Sequence, residues 1–202
     1  MNNNEIIKHV RGESRFIDDI TTPDNILYGI VLTSEIPHGK IEKIEFRDAL
    51  AVKGVVKIID HTDIPGENQI GAIIQDEELL SDGIVKFAGE PILLILSEDP
   101  DSGREALKMI RVDISPLPVI TDPRESFRSG NLIVPPRTFD HGDIDSAWGK
   151  CDVVIEGRAD SGGQEHFYME TQASLAYPVE RDGVKIISST QSPTAVQKAA
   201  SG

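Results

Sequence analysis

Five consecutive apolar residues, Ile92-Leu93-Leu94-Ile95-Leu96, lie between Pro91 and Ser97. In an extended chain successive side chains point to opposite faces, so an uninterrupted apolar run needs cover on both sides. The run therefore predicts a central strand of a covered sheet. Ser102-Gly103-Arg104-Glu105 fits a capping box that opens a helix through residues 106–109, and residues 110–114 return as a strand. A strand–helix–strand unit of this kind predicts parallel pairing. The fold class expected is α/β (α+β), and a 39% hydrophobic content over 202 residues suffices for one large domain or two small ones.

The upstream chain keeps the same rhythm. Residues 26–33 read as a buried strand, Pro37-His38-Gly39 as a turn, and residues 40–46 as a second strand. Asp48 is placed to cap a short helix over residues 49–52 that Gly54 stops, and residues 55–59 form the next strand. The three asparagines at positions 2–4 predict a disordered start up to about Lys8. Thr62-Asp63-Ile64-Pro65-Gly66 opens a loop.

Pro116, Pro118, Pro123, Pro135 and Pro136 punctuate a stretch of little periodicity, which puts a boundary between Thr121 and Asp140. The division expected is a first domain over residues 8–125, a linker over 126–139, and an incomplete second domain over 140–202. In the second, residues 151–157 read as a strand, and residues 173–179 and 184–188 as a hairpin about Arg181-Asp182-Gly183. Ser192 caps a helix with Pro193 at its first position and Ala195, Val196, Ala199 and Ala200 on its apolar side. No later element is at hand to cover that side, which predicts the front part of a longer polypeptide.

Charge and residue counts exclude several classes. Thirty-four acidic against twenty basic residues give a net charge of −14, which disfavours nucleic-acid and membrane-surface partners. A single cysteine, Cys151, allows neither an intrachain disulfide nor a cysteine-ligated iron–sulfur cluster within this chain, and it is expected as a small core residue. The start has no basic and apolar leader and no apolar run spans a bilayer, so the cytoplasm is the expected compartment. His9, His38, His61, His141 and His166 lack paired zinc spacing and are expected to be structural or surface residues. No nucleophile elbow, phosphate loop or dinucleotide fingerprint is present.

The densest chemistry lies in Ser161-Gly162-Gly163-Gln164-Glu165-His166-Phe167-Tyr168-Met169-Glu170-Thr171-Gln172. The glycine pair lets another group approach the backbone. Strand alternation would place Gln164, His166, Tyr168 and Glu170 on one face, with Phe167 and Met169 anchoring the other. The spacing by itself matches no self-contained catalytic motif, and a strand whose polar side makes ordinary hydrogen bonds fits it as well.

The same run resembles the opening of the molybdenum-binding region of the xanthine dehydrogenase/aldehyde oxidase family of molybdenum hydroxylases, with wording closest to the xanthine dehydrogenase branch. Arg11-Gly12-Glu13-Ser14-Arg15-Phe16-Ile17-Asp18-Asp19-Ile20, Gly89-Glu90-Pro91, His141-Gly142-Asp143-Ile144-Asp145 and Ser188-Ser189-Thr190-Gln191-Ser192-Pro193 extend the resemblance over nearly the whole chain. It implies an α/β hammerhead-like domain followed by the start of a molybdopterin-binding domain. It further implies that Gln164 hydrogen-bonds an oxygen ligand on molybdenum and is not itself a ligand of the metal. Gly163 would let the backbone come close, and Glu165, His166 and Glu170 would orient the loop.

The activity implied is hydroxylation of a purine, another N-heterocycle or an aldehyde, with water as the oxygen source. The molybdenum–molybdopterin cofactor belongs to the complete enzyme, and iron–sulfur clusters and FAD to other segments or subunits. The partners implied are the rest of the molybdopterin subunit, the iron–sulfur and flavin subunits or domains, and a small-molecule substrate. The resemblance implies that the base glutamate lies beyond this chain, so none of these residues is expected to be catalytic and the 202 residues alone are expected to be inactive. A non-catalytic α/β scaffold or interaction module from a split gene is the alternative reading.

Overall fold

The computed structural model describes residues 3–71, 73–168, 170, 172–181 and 183–201. Of the residues discussed above, Asn2, Met169, Thr171 and Asp182 lie outside the described residues. The chain divides into two compact units, the first formed by Met1–Val119 with Glu170–Gly202 and the second by Ile120–Met169.

The first unit opens with helix α1 (Asn3–Arg11) where a disordered start was expected. Gly12 explains the end of this helix. Its φ of 69° lets the Gly12 and Glu13 amides turn back to the carbonyls of His9 and Lys8, at 3.2 and 2.8 Å. Lys8, His9 and Arg11 crowd the last turn, where the helix dipole favours cations.

Strands β1 (Tyr28–Thr33) and β2 (Gly39–Glu45) follow, then the short helix α2 (Arg47–Leu50), strand β3 (Val55–Ile59) and the two-residue strand β4 (Ile84–Val85). Asp48 does not cap α2; it lies inside the helix, and Phe46 takes the entry position without a side-chain cap. A 3-10 turn over His61–Asp63 occupies the start of the expected loop.

The apolar run forms strand β5 (Pro91–Ser97), and it is central as expected, in a sheet of order β1-β5-β3. Leu93, Ile95 and Ser97 share one face and are fully buried, whereas Leu94 and Leu96 on the other are half-buried. Helix α3 (Pro100–Met109) comes next, then strand β6 (Arg111–Pro116). The cap of α3 is Asp99, not Ser102. Its carboxylate accepts from the Asp101 and Ser102 amides at 3.0 and 2.8 Å, with Pro100 at the first helical position.

The expected parallel pairing does not form. β5 pairs antiparallel with both β1 and β3, for example Ile30 with Ile95 and Ile59 with Leu94. Both of its edges are thus taken, and β6 instead joins β2 antiparallel in a second sheet of order β4-β2-β6. The helix α3 connects two sheets and does not cross over within one. Ile92, Leu93 and Ile95 meet Ala49, Ile58, Val85 and Ala106 in the core, and each fully buried aliphatic side chain contributes roughly 1.5–3 kcal/mol.

The second unit holds two short helices. Helix α4 (Pro123–Ser129) is capped by Asp122 at 2.7 Å from the Arg124 amide and ended by Gly130 with a φ of 76°. It occupies residues that the proline count had placed partly in a linker. Pro123 starts the helix, since a first-turn proline has no N–H to lose. Helix α5 (Ile144–Trp148) is capped by Asp143, which accepts from the Ser146 amide at 2.9 Å.

The expected strand over residues 151–157 does not form, and Val153, Val154 and Ile155 are exposed. A strand needs a neighbour for its backbone groups, and none lies alongside among the described residues of this unit. Cys151 is exposed too, so it is not the core residue expected. Back in the first unit, strands β7 (Ser174–Val179) and β8 (Gly183–Ser188) form the expected hairpin, and helix α6 (Pro193–Ser201) begins where Ser192 accepts from the Ala195 and Val196 amides.

Candidate functional site

The polar stretch runs through residues 158–168 without helix or strand. Its entry is held within the second unit by Arg158 against Asp160 at 2.7 Å, with Arg124 at 3.9 Å from the same carboxylate. A Cβ placed on Gly162 or Gly163 would meet no atom within 4 Å, so the backbone there is open to an approaching group. Gln164 follows, exposed, and its side-chain amide has no hydrogen bond among the described residues.

The alternation expected for this stretch is broken just after Gln164. The Glu165 carboxylate accepts from the amides of His166 at 3.0 Å and Phe167 at 3.4 Å, which folds the chain onto its own side chain. Phe167 adopts a φ of 52° and is 91% exposed. A positive φ at a bulky residue reverses the chain and ends any extended run. Gln164, His166, Tyr168 and Glu170 therefore do not share a strand face.

Glu170 is the residue at which the chain re-enters the first unit. Its carboxylate accepts a hydrogen bond of 2.7 Å from the Ile17 amide, at the start of the 3-10 turn Ile17–Asp19. Asp19 closes that turn by accepting from the Phe16 amide at 2.9 Å. Downstream, Ala173 donates to Ser189 Oγ at 3.0 Å and Ser189 returns its own amide to the Ala173 carbonyl at 3.0 Å, tying the base of the hairpin. Sequence reasoning gave no partner for Glu170, because nothing local pairs positions 153 residues apart.

Other residues singled out by motif are structural. Glu90 is a buried carboxylate that accepts from the Lys86 amide, while the Gly89 and Ser34 amides exchange hydrogen bonds with the Ser34 and Glu90 carbonyls. His9 pairs with Ser14 and His38 with the Pro118 carbonyl. Among the described residues no three His, Cys, Asp or Glu side chains gather to hold a metal ion. A cleft of about 720 Å3 lies elsewhere, in the first unit, lined by residues that include Ile44, Phe46, Arg47, Leu50, Met109 and Arg111.

What the polar stretch offers is a neutral amide, with two donors and one acceptor, beside backbone that nothing covers. That donor set fits a cofactor that carries its own metal ligands and needs only an uncharged hydrogen-bond donor from the protein.

The family description "Aldehyde oxidase and xanthine dehydrogenase, a/b hammerhead domain" matches residues 11–118. The chain belongs to the aldehyde oxidase and xanthine dehydrogenase family. "Molybdopterin cofactor-binding domain" matches residues 126–202, which include Gly163 and Gln164. Curated members of the family similar to this chain include a xanthine dehydrogenase of Emericella nidulans, 37% identical over 194 residues, which are 95% of this chain and 14% of that protein. An aldehyde oxidase 2 of Cavia porcellus is 35% identical over 96% of this chain and 14% of its own length. The chain thus spans about one seventh of these relatives.

Among solved structures, the aldehyde oxidoreductase from Desulfovibrio gigas superposes with a TM-score of 0.79 at 24% identity, covering 90% of this chain and 22% of that one. Quinoline 2-oxidoreductase from Pseudomonas putida 86 gives 0.82 at 22% identity, over 98% and 27%. Their likeness to this chain is one of fold, a mixed arrangement of helices and strands; the hammerhead and molybdopterin-binding domains are those the family descriptions match. Among the described residues no helix is long and apolar enough to cross a membrane.

Proposed function

We propose that the chain is part of the catalytic subunit of a xanthine dehydrogenase-like molybdenum hydroxylase, acting on a purine, another N-heterocycle or an aldehyde with water as the oxygen source. The observation that carries this reading is the unpartnered amide of Gln164, directly after a glycine pair that leaves the backbone open. Gln164 would hold the molybdenum–molybdopterin cofactor through its side-chain amide, and Gly163 would let the cofactor close on the main chain. The cofactor supplies the redox centre for hydroxylation when bound. The chain's own contribution is orientation by a group that does not titrate, so its donor remains in place across the working pH range.

The division of the chain proposed with this reading is a hammerhead-like domain over 8–125, a linker over 126–139 and a molybdopterin-binding domain from 140. Its partners would be the rest of the molybdopterin subunit and iron–sulfur and FAD-bearing segments or subunits, in the cytoplasm. Exposed Val153, Val154 and Ile155 are apolar surface that such a partner would cover. The 202 residues alone, with Gly162 and Gly163 facing open space, would bind no molybdenum cofactor stably and turn over no substrate.

The test is Gln164→Ala in the assembled molybdenum enzyme. Loss of a hydrogen bond that orients a metal's ligand typically costs about 10–100-fold in metal affinity or activity. Unchanged turnover and unchanged molybdenum content would leave the chain as a non-catalytic scaffold.

A further inference from the structure

Ile73 is 97% exposed, yet the chain on either side of it is held firmly. The Asn68 side chain donates to the Leu80 carbonyl at 2.7 Å and accepts from the Leu80 amide at 3.0 Å. Gln69 Oε1 accepts from the Gly71 and Glu77 amides at 2.6 and 3.1 Å, and the Ile70 amide donates to the Glu77 carbonyl at 2.8 Å. The Lys86 ammonium donates to the Asp76 carbonyl at 3.2 Å. A Cβ on Gly71 would stand 2.0 Å from the Ile74 carbonyl oxygen, so the chain closes there too tightly for a side chain. An isoleucine held out in water on such a support is a preformed contact, because little of the loop is left to order when a partner arrives.

Charge separates this knob from the 720 Å3 cleft. Next to Ile73, Asp76 and Glu77 have no ion pair among the described residues, whereas Glu78 is taken by Lys86. In the cleft, Leu50 and Met109 are each 46% exposed beside half-buried Ile44 and Phe46, and Arg47 and Arg111 have no ion pair among the described residues. Glu45 of the lining is taken by Lys43, which leaves Asp48 as the one carboxylate against two guanidiniums. In a chain of net charge −14 this cleft is locally basic, with an apolar floor. We infer that the Ile73 knob of one copy docks in this cleft of a second copy of the chain, with Asp76 and Glu77 facing Arg47 and Arg111. Knob and cleft are different surfaces, so the contact runs head to tail. Both lie in the first unit, and neither depends on the role of Gln164. The local charges are complementary, but the like net charge of two copies opposes their approach, so the association is weak.

Two variants each disable one half of the contact. Ile73→Asp charges the knob at a side chain the fold does not bury. Arg47→Glu reverses a charge of the cleft at an exposed residue that opens α2, where an acidic side chain suits the helix dipole. Ile73→Leu keeps the knob apolar.

The experiment is sedimentation equilibrium of the 202-residue chain from micromolar to millimolar concentration. The average mass of the starting protein should rise with concentration, and Ile73→Leu should follow it. Ile73→Asp and Arg47→Glu should each stay at the mass of one chain. Mixed in equal amounts, the two defective variants should form a one-to-one dimer and nothing larger, since Arg47→Glu keeps a sound knob and Ile73→Asp a sound cleft. If Arg47→Glu does not fold, Met109→Asp takes its place in the cleft. A starting protein that stays monomeric at every concentration would overturn the inference and leave the knob to a different partner. Association that survives Ile73→Asp would overturn it too, as would a mixture that remains monomeric.

Discussion

Lys86 places its ammonium 2.7 Å from the Glu78 carboxylate, while the second oxygen of Glu78 accepts from the Asp82 amide at 3.0 Å. Burial alone would raise the Glu78 pKa, but the hydrogen bonds from Lys86 and from the Asp82 amide outweigh it and hold the group below the usual carboxylate range. Lys86 is raised, chiefly by its bond to Glu78. A depressed carboxylate stabilises the fold above its unfolded pKa and loses that contribution as pH falls through the folded value; a raised lysine loses its share as pH rises. The pair's contribution is therefore fully present between the unfolded-state carboxylate and ammonium pKa values, about 4.3 and 10.4, and fades only beyond them. With Lys86 substantially exposed it is worth only about 0.5–1 kcal/mol. Lys86→Met should lower stability at neutral pH by that amount and flatten its fall below pH ~4, as read by urea unfolding across pH.

Gly103 brings α3 close to the first sheet. A Cβ there would stand 2.6 Å from Ile30 Cγ1 and 2.7 Å from Ser97 Oγ. Gly103→Val should destabilise the protein by about 1–3 kcal/mol through overpacking, measured by thermal and denaturant unfolding. A neutral result would mean that α3 lies farther from β1 and β5 than the structure has it.

The Asp99 cap separates two readings of one helix. Asp99 accepts from the Ser102 amide and hydroxyl and from the Asp101 amide, and these bonds hold its pKa below the ordinary aspartate value. Its contribution is present above the unfolded pKa and fades as pH drops through the folded one. Asp99→Ala should lower Tm by a few degrees at neutral pH and by less in acid, while Ser102→Ala should cost less at either pH. A larger loss from Ser102→Ala would return the cap to Ser102.

Cys151 is exposed, with its thiol directed to the Ala147 carbonyl at 3.4 Å. Native protein should react with a thiol reagent to one equivalent per chain without denaturant. Labelling that waits for unfolding would put this residue in a core.

What could be read in the sequence followed from local rules. The centrality of β5 came from its unbroken apolar run, the hairpin from its turn residues, and α6 from Ser192 followed by Pro193. Helix α4 carried the same signal in Asp122 and Pro123, lost because Pro123 was counted as a breaker and not as a first-turn residue. Sheet membership was illegible, since which strand takes the edges of β5 depends on residues far apart in sequence. At the candidate site, the resemblance to the family pointed to Gly163 and Gln164, but the extended shape expected for the stretch failed. A carboxylate that captures its own neighbouring amides and a phenylalanine at positive φ leave no trace in a period-two pattern.

The antiparallel β1-β5-β3 arrangement also sets the order of events during synthesis. The ribosome releases β1 and β3 first, and neither finds its partner until β5 emerges, a few seconds later at ordinary elongation rates. Until then two apolar strands wait with open edges, bridged by nothing local, and the loops that must close are long. This module therefore passes its moment of greatest exposure to chaperones and to other nascent chains before its central strand has been made.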